Sequence, residues 1–161
     1  MTGEATGPEL DLDPGESPLP GRLTPATLLC AQYRLVEFVE GMHGAVSTQL
    51  SAWCATTEPF AVLALAGQAG AGKTRLAIEL CRRLRAEGWH AGFLAPRTRP
   101  PPVHAPRRPT LVVLDYADVQ PSLRDDVAAL AGAAEPGGPP LRVVLIARAL
   151  GEWWTTLGDD R

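Results

Sequence analysis

Residues 67–74 read Gly-Gln-Ala-Gly-Ala-Gly-Lys-Thr, the G-x-x-x-x-G-K-[ST] spacing of a phosphate-binding P-loop. Glycines at 67, 70 and 72 open backbone conformations closed to other residues. With Gln68, Ala69 and Ala71 between them, they let successive N–H groups approach a phosphate. A helix beginning at the end of the motif aims its N-terminal dipole at the same anion. Lys73 is spaced to reach the β- and γ-phosphates, and the Thr74 hydroxyl to ligate Mg2+; Arg75, the next residue, is grouped with this cradle. An Ala/Gly-rich turn can match the pattern by accident. The context opposes accident: an apolar run precedes the motif, an amphipathic pattern follows it, and Lys73 is the only lysine among 15 basic residues.

The flanking segments predict the sheet. Phe60-Ala-Val-Leu-Ala-Leu-Ala66 is an apolar run of strand length ending at glycine. After the motif, Leu76, Ala77, Leu80, Cys81 and Leu84 fall on one stripe of a helix over Lys73–Glu87, and Gly88 supplies its stop. Residues 89–95 (WHAGFLA) read as a short second strand. Residues 96–109, with six prolines and four arginines, read as an extended loop. Leu111-Val-Val-Leu-Asp115 reads as a third strand, about Ser122–Ala134 as a helix behind Pro121, and Leu141–Ala147 as a fourth strand. Strands without polar alternation, separated by helices or long crossovers, belong to a parallel sheet covered on both faces.

Three polar residues beyond the motif complete a candidate site. Asp115 closes an apolar strand about 40 residues after the motif, which is how a magnesium-holding carboxylate is presented beside a P-loop. The metal set is therefore Thr74 and Asp115. Asp118 is three residues further on. It reads either as the acid that orients or deprotonates an attacking water, or as a helix-capping or surface aspartate. Arg148 stands just past the fourth strand, at the place of a residue that senses the γ-phosphate when that strand inserts between the first and third. Its alternative reading is a surface arginine at a strand end.

The rest of the chain bounds the function. Its 161 residues are enough for one domain with a core. Gly and Pro together make up about a fifth of it, unevenly placed. A net charge of −3 argues against a generic binder of nucleic acid or anionic membrane. Arg97, Arg99, Arg107 and Arg108, scattered among prolines without interleaved aromatics, read as a solvated loop. Cys30, Cys54 and Cys81 form no CxxC pair and read as buried thiols of a reducing cytosol. His43, His90 and His104 share no metal-ligand spacing. No apolar run approaches the ~20 residues of a membrane span, and the N-terminus is acidic where a signal peptide is basic. Residues 1–26, with five prolines and five acidic side chains by position 25, are expected to be a disordered tail. Residues 27–58 are expected to be a helical lead-in of one or two short elements, and residues 59–161 the P-loop core. Trp153-Trp154 read as the seed of a helix packing on the sheet.

With these residues in place, the chain resembles the bacterial STAND class of signal-transducing P-loop ATPases, related to NACHT and NB-ARC switches. It is most similar to actinobacterial proteins carrying C-terminal repeats. The resemblance spans about residues 28–157. It rests on Tyr33-Arg-Leu-Val-Glu-Phe38 before a helix ending at Trp53-Cys54, on GQAGAGKTRLAIELCRRLRAEGWHAGFL (67–94), on LVVLDYAD (111–118), and on LRVVLIAR (141–148) with Trp153-Trp154. Two positions depart from the family pattern. Glu40-Gly41-Met42 replaces a Gly-Arg pair of the nucleotide pocket, and Asp118 stands where Glu is usual.

The resemblance implies an α/β fold of the additional-strand type, sheet order 1-4-3-2, lacking a fifth strand because no further apolar run follows Arg148. It implies a cytoplasmic module that binds ATP or ADP with Mg2+ and uses slow hydrolysis as a conformational switch in signalling. The implied partners are C-terminal helical and repeat domains outside this sequence, with homo-oligomers as a further expectation. Two other functions stay open: a nucleotide scaffold without hydrolysis, and a small P-loop kinase acting on a metabolite.

Overall fold

The computed structural model describes residues 9–18, 32, 44–95 and 102–158. Four parallel strands, β1 (Phe60–Ala66), β2 (His90–Phe93), β3 (Thr110–Leu114) and β4 (Leu141–Ala147), form one sheet in the order β1-β4-β3-β2. The helices are α1 (Gly44–Cys54), α2 (Lys73–Ala86), α3 (Leu123–Ala133) and α4 (Glu152–Gly158). The α/β class, the all-parallel sheet and the strand order all agree with the sequence reading.

The strands sort their own side chains. Leu63, Leu65, Val113, Val144 and Ile146 face a layer made by α1 and α2, packing on Leu50, Leu76, Leu80 and Leu84. The alternate residues Val62, Val112, Leu114, Val143 and Leu145 face α3 and α4, packing on Leu123, Val127, Leu130 and Trp153. Period-two alternation thus feeds two cores, which is why these strands are apolar at nearly every position. Every residue of β3 and β4 is buried, as interior strands require. Most of β1 is only half-buried, and β4 is its one neighbour among the described residues. Helix α1 joins the α2-side core through Leu50 and Cys54, with Trp53 packed against it.

Boundaries shift for local reasons. The second strand is shorter than residues 89–95, because the Trp89 amide donates to Leu84 O at 3.0 Å and so closes the end of α2. Gly88 takes φ 91° there, a left-handed stop that glycine reaches without strain. The third strand ends at Leu114, and Asp115 begins the turn that follows.

The N-terminal expectation needs correcting. Residues 9–18 lie against the sheet, where Asp13 pairs antiparallel with Phe93 on the β2 edge. Leu10 and Leu12 pack on the α3-side core. The cause is the Glu9-Leu10-Asp11-Leu12-Asp13 alternation, which turns two leucines inward and three acids outward, and a sheet edge able to receive it. The expected tail at residues 1–8 and 19–26, and the Tyr33–Phe38 motif, lie outside the described residues. Within residues 27–58, Gly44–Cys54 form α1.

Candidate functional site

The 67–74 turn connects β1 to α2 at the C-terminal end of the sheet. The Gly67 amide donates to Ala147 O at 3.2 Å, tying the start of the turn to the tip of β4. Ala71 N donates back to Gln68 O at 3.2 Å, and Leu76 N to Gly72 O at 2.9 Å, where α2 takes over. Gly70 and Gly72 both sit at φ 80°. A side chain at either position would be strained whatever the space around it. The glycine spacing read from the sequence therefore has a backbone cause.

Lys73 curls over the turn. Its Nζ donates to Gly67 O at 2.5 Å and to Gln68 O at 2.8 Å, so the cation sits above the loop carbonyls. One residue on, the Thr74 hydroxyl donates to Asp115 Oδ2 at 3.0 Å, across 41 residues of sequence. The other oxygen, Asp115 Oδ1, accepts the Tyr116 amide at 2.8 Å. Tyr116 takes φ 56°, the only positive φ at a non-glycine among the described residues, and its side chain is exposed. Such strain costs of order 1–3 kcal/mol and persists only where surroundings impose it. Here it accompanies the turn by which Asp115 leaves the strand and presents one oxygen to Thr74.

Asp118 and Arg148 also meet. Asp118 lies in the short 3-10 turn Ala117–Val119, Arg148 just past β4, and Arg148 Nε stands 3.6 Å from Asp118 Oδ2. The arginine side chain is 63% exposed and the aspartate 17%. Asp118 Oδ1 is buried with no hydrogen-bond donor among the described residues. Beside it opens a cavity of about 230 Å3, walled by Asp118, Gln120, Arg124, Trp153, Thr156 and Leu157. Trp153 and Trp154 meet edge-to-face, 5.8 Å between centroids, and pack on the α3-side core as the sequence predicts.

The structure thus brings Lys73, Thr74 and Asp115 together at one end of the sheet and pairs Asp118 with Arg148. Arg75 goes elsewhere. Its guanidinium lies 3.1 Å from Glu79 Oε1, one turn along α2, with both side chains largely buried. Among the described residues no group of three or more His, Cys, Asp or Glu is arranged to hold a metal. The Thr74 hydroxyl and the Asp115 carboxylate are the two oxygens here that could ligate a cation. Two protein oxygens suit Mg2+, which keeps several waters and takes the rest of its shell from phosphates.

The thiols take no part. Burial pushes Cys54 up to about 11 and Cys81 up to about 12, so both remain protonated at neutral pH. Sequence reasoning missed Arg142, which is fully buried in β4. It donates to Glu58 O at 2.8 Å and Thr56 O at 2.6 Å, and stands 6.0 Å from the Trp53 ring. Its only signal was a charged residue inside an otherwise apolar run.

No family model, no curated protein and no solved structure matches this chain. Among the described residues no helix is long and apolar enough to cross a membrane.

Proposed function

We propose that this chain binds ATP or ADP with Mg2+ through the 67–74 turn and serves as the nucleotide-binding module of a STAND-type signalling ATPase. One observation carries the reading: a glycine-opened turn at the head of a helix holds Lys73 above it, while Thr74 is bonded to an aspartate at the tip of β3. In this reading the Gly70–Thr74 amides and the α2 dipole bind the phosphates. Lys73 exchanges its two loop carbonyls for phosphate oxygens. Thr74 and Asp115 hold the metal, whose charge offsets that of the β- and γ-phosphates. Asp118 positions the attacking water and accepts its proton, and Arg148 faces the terminal phosphate.

Slow turnover suits a switch, and the Arg148–Asp118 pair favours slowness because it engages one oxygen of the acid that water activation needs. The same pair supports a second reading, a scaffold that holds nucleotide without hydrolysing it. Titration of a fluorescent ATP analogue with Mg2+ tests the proposal. Lys73→Ala removes the one cation of the cradle and leaves the glycine turn able to form. The expected result is binding at least tenfold weaker in the mutant; equal affinity overturns the assignment. Phosphate release from the wild type then separates the switch from the scaffold.

A further inference from the structure

The β2 edge, at the far side of the sheet from β1, carries a seat built for an acidic extended segment. Asp13 N donates to Phe93 O at 2.9 Å and Phe93 N to Asp13 O at 2.7 Å, the reciprocal pair of an antiparallel ladder. Two glycines make this approach possible. A Cβ on Gly92 would lie 2.5 Å from Asp13 O and 2.9 Å from Leu12 Cβ. Gly15, at φ 75°, would drive a Cβ to 2.5 Å from the Phe93 ring. Any side chain at either place closes the seat.

The polar contacts match by charge. Glu9 forms a two-pronged pair with Arg108, at 2.8 and 2.9 Å, and that bonding holds its carboxyl below the usual range. Glu16 stands 3.6 Å from Arg85, and His90 Nε2 lies 2.7 Å from Leu10 O. The attachment is nonetheless thin. The ladder has a single residue pair, one further backbone bond runs from Ser17 N to Gln32 O at 2.9 Å, Leu10 and Leu12 are half-buried, and the ion pairs are exposed enough for salt to screen. Segments with few buried contacts open below the global unfolding free energy.

We propose that residues 9–17 form a detachable strap, seated in cis on the β2 edge, and that the seat it vacates accepts the same acidic segment from a second copy of the chain. Opening frees the N–H and C=O groups of Phe93, and an exposed strand edge is a template for strand addition. The arginines that receive Glu9 and Glu16 in cis receive them equally from another chain. Tethering gives the cis strap a high effective concentration, so exchange becomes visible when the cis strap is weakened.

Hydrogen exchange on the full chain tests detachment. The Asp13 and Phe93 amides are expected to exchange at least tenfold faster than those of Val143–Leu145. Their rate should rise severalfold from 20 mM to 500 mM salt while the β4 amides stay unchanged. Exchange of both sets together overturns the detachable strap. A labelled peptide of residues 8–18 tests the seat. The full chain carrying Glu9→Arg and Glu16→Arg, whose own strap Arg108 and Arg85 repel, should bind it saturably, and more tightly than the wild type does. Adding Gly92→Ala to that variant should abolish binding. Should Gly92→Ala fail to fold, a peptide carrying Gly15→Val makes the same test from the ligand side and should not bind. No saturable binding to the charge-reversed variant, or equal binding of the Gly15→Val peptide, overturns the proposal.

Discussion

The Thr74 hydroxyl donates to the Asp115 carboxylate across 3.0 Å, joining the first turn of α2 to the tip of β3. The two side chains arrive from elements built by unrelated stretches of sequence and share no other local constraint. Neither a capped helix nor a buried strand needs this bond. If the pair holds magnesium, Asp115→Asn keeps the shape and removes the charge that a hard cation requires. Nucleotide affinity in the presence of Mg2+ should then fall at least tenfold, while affinity measured with excess chelator should be nearly unchanged. Isothermal titration with and without Mg2+ checks this, and an equal loss in both conditions would mean that Asp115 shapes the loop without holding metal.

Asp118→Asn separates turnover from binding. The amide cannot accept a proton, and it loses the charge that attracts Arg148, now 3.6 Å away. Phosphate release should fall to background, with nucleotide affinity kept within about threefold. Arg148→Ala makes the complementary change by leaving the acid unpaired. If Arg148 serves only as a restraint on Asp118, turnover should rise; if it contacts the terminal phosphate, turnover should fall. Single-turnover assays on both variants distinguish these outcomes.

The strands and the turn were legible because their causes are local. Phe60–Ala66, Leu111–Leu114 and Leu141–Ala147 are apolar at nearly every position and each adjoins Gly, Pro or Asp on at least one side, the pattern of strands buried on two faces. Glycines 70 and 72 were legible because the conformation they permit is intrinsic to them. What the sequence hid has a non-local cause. The Leu10/Leu12 alternation is only five residues long, and it reaches the β2 edge, with one bridge at Asp13, because Gly92, some eighty positions on, leaves room for it. Arg142 donates to carbonyls 84 and 86 residues earlier, and Asp118 is paired through one oxygen with an arginine 30 residues later. Arg75 followed the rule of i,i+4 pairing with Glu79, a local signal that proximity to the motif obscured.

The buried thiols give the fold an alkaline limit. Burial raises both Cys54 and Cys81, so folding favours their protonated forms. Their contribution is complete below the unfolded thiol value near 8.5–9 and is lost as pH rises toward about 11 for Cys54 and about 12 for Cys81. Urea unfolding should lose about 1 kcal/mol per buried thiol between pH 9 and 10. The Cys54→Ala/Cys81→Ala variant, less stable throughout, should show a flatter profile over that interval. An unchanged slope would place the alkaline sensitivity in other groups.

The outer edge of β1 predicts self-association. Seven residues without proline or charge pair on one side only, with β4, among the described residues. Such an edge lacks the lysines or bulges that discourage pairing between molecules. Light scattering on the purified chain should report mass above the monomer at high concentration. Ala64→Lys, placing a charge in the middle of the strand, should shift the population toward monomer. A monomeric wild type at every concentration removes the premise.

Arg142 offers the sharpest test of how the sheet is joined to its helical layer. Its guanidinium is buried in the interior strand and its pKa lowered by that burial, yet its hydrogen-bond acceptors include no carboxylate. They are the Thr56 and Glu58 carbonyls, in the connection between α1 and β1, with the Thr56 hydroxyl at 3.3 Å and the neighbouring Leu141 carbonyl at 3.2 Å. A planar fork reaches two carbonyls at once; a single ammonium does not. Arg142→Met deletes both the bonds and the buried charge, two effects of opposite sign, and the net cost should be about 1–3 kcal/mol. Arg142→Lys keeps the charge in the same dry place and gives up part of the bonding, so it should cost more than methionine does. Denaturant unfolding of the three proteins ranks them. Lysine restoring most of the wild-type stability would show that charge at this position, and not the two-carbonyl geometry, fastens the connection to β4.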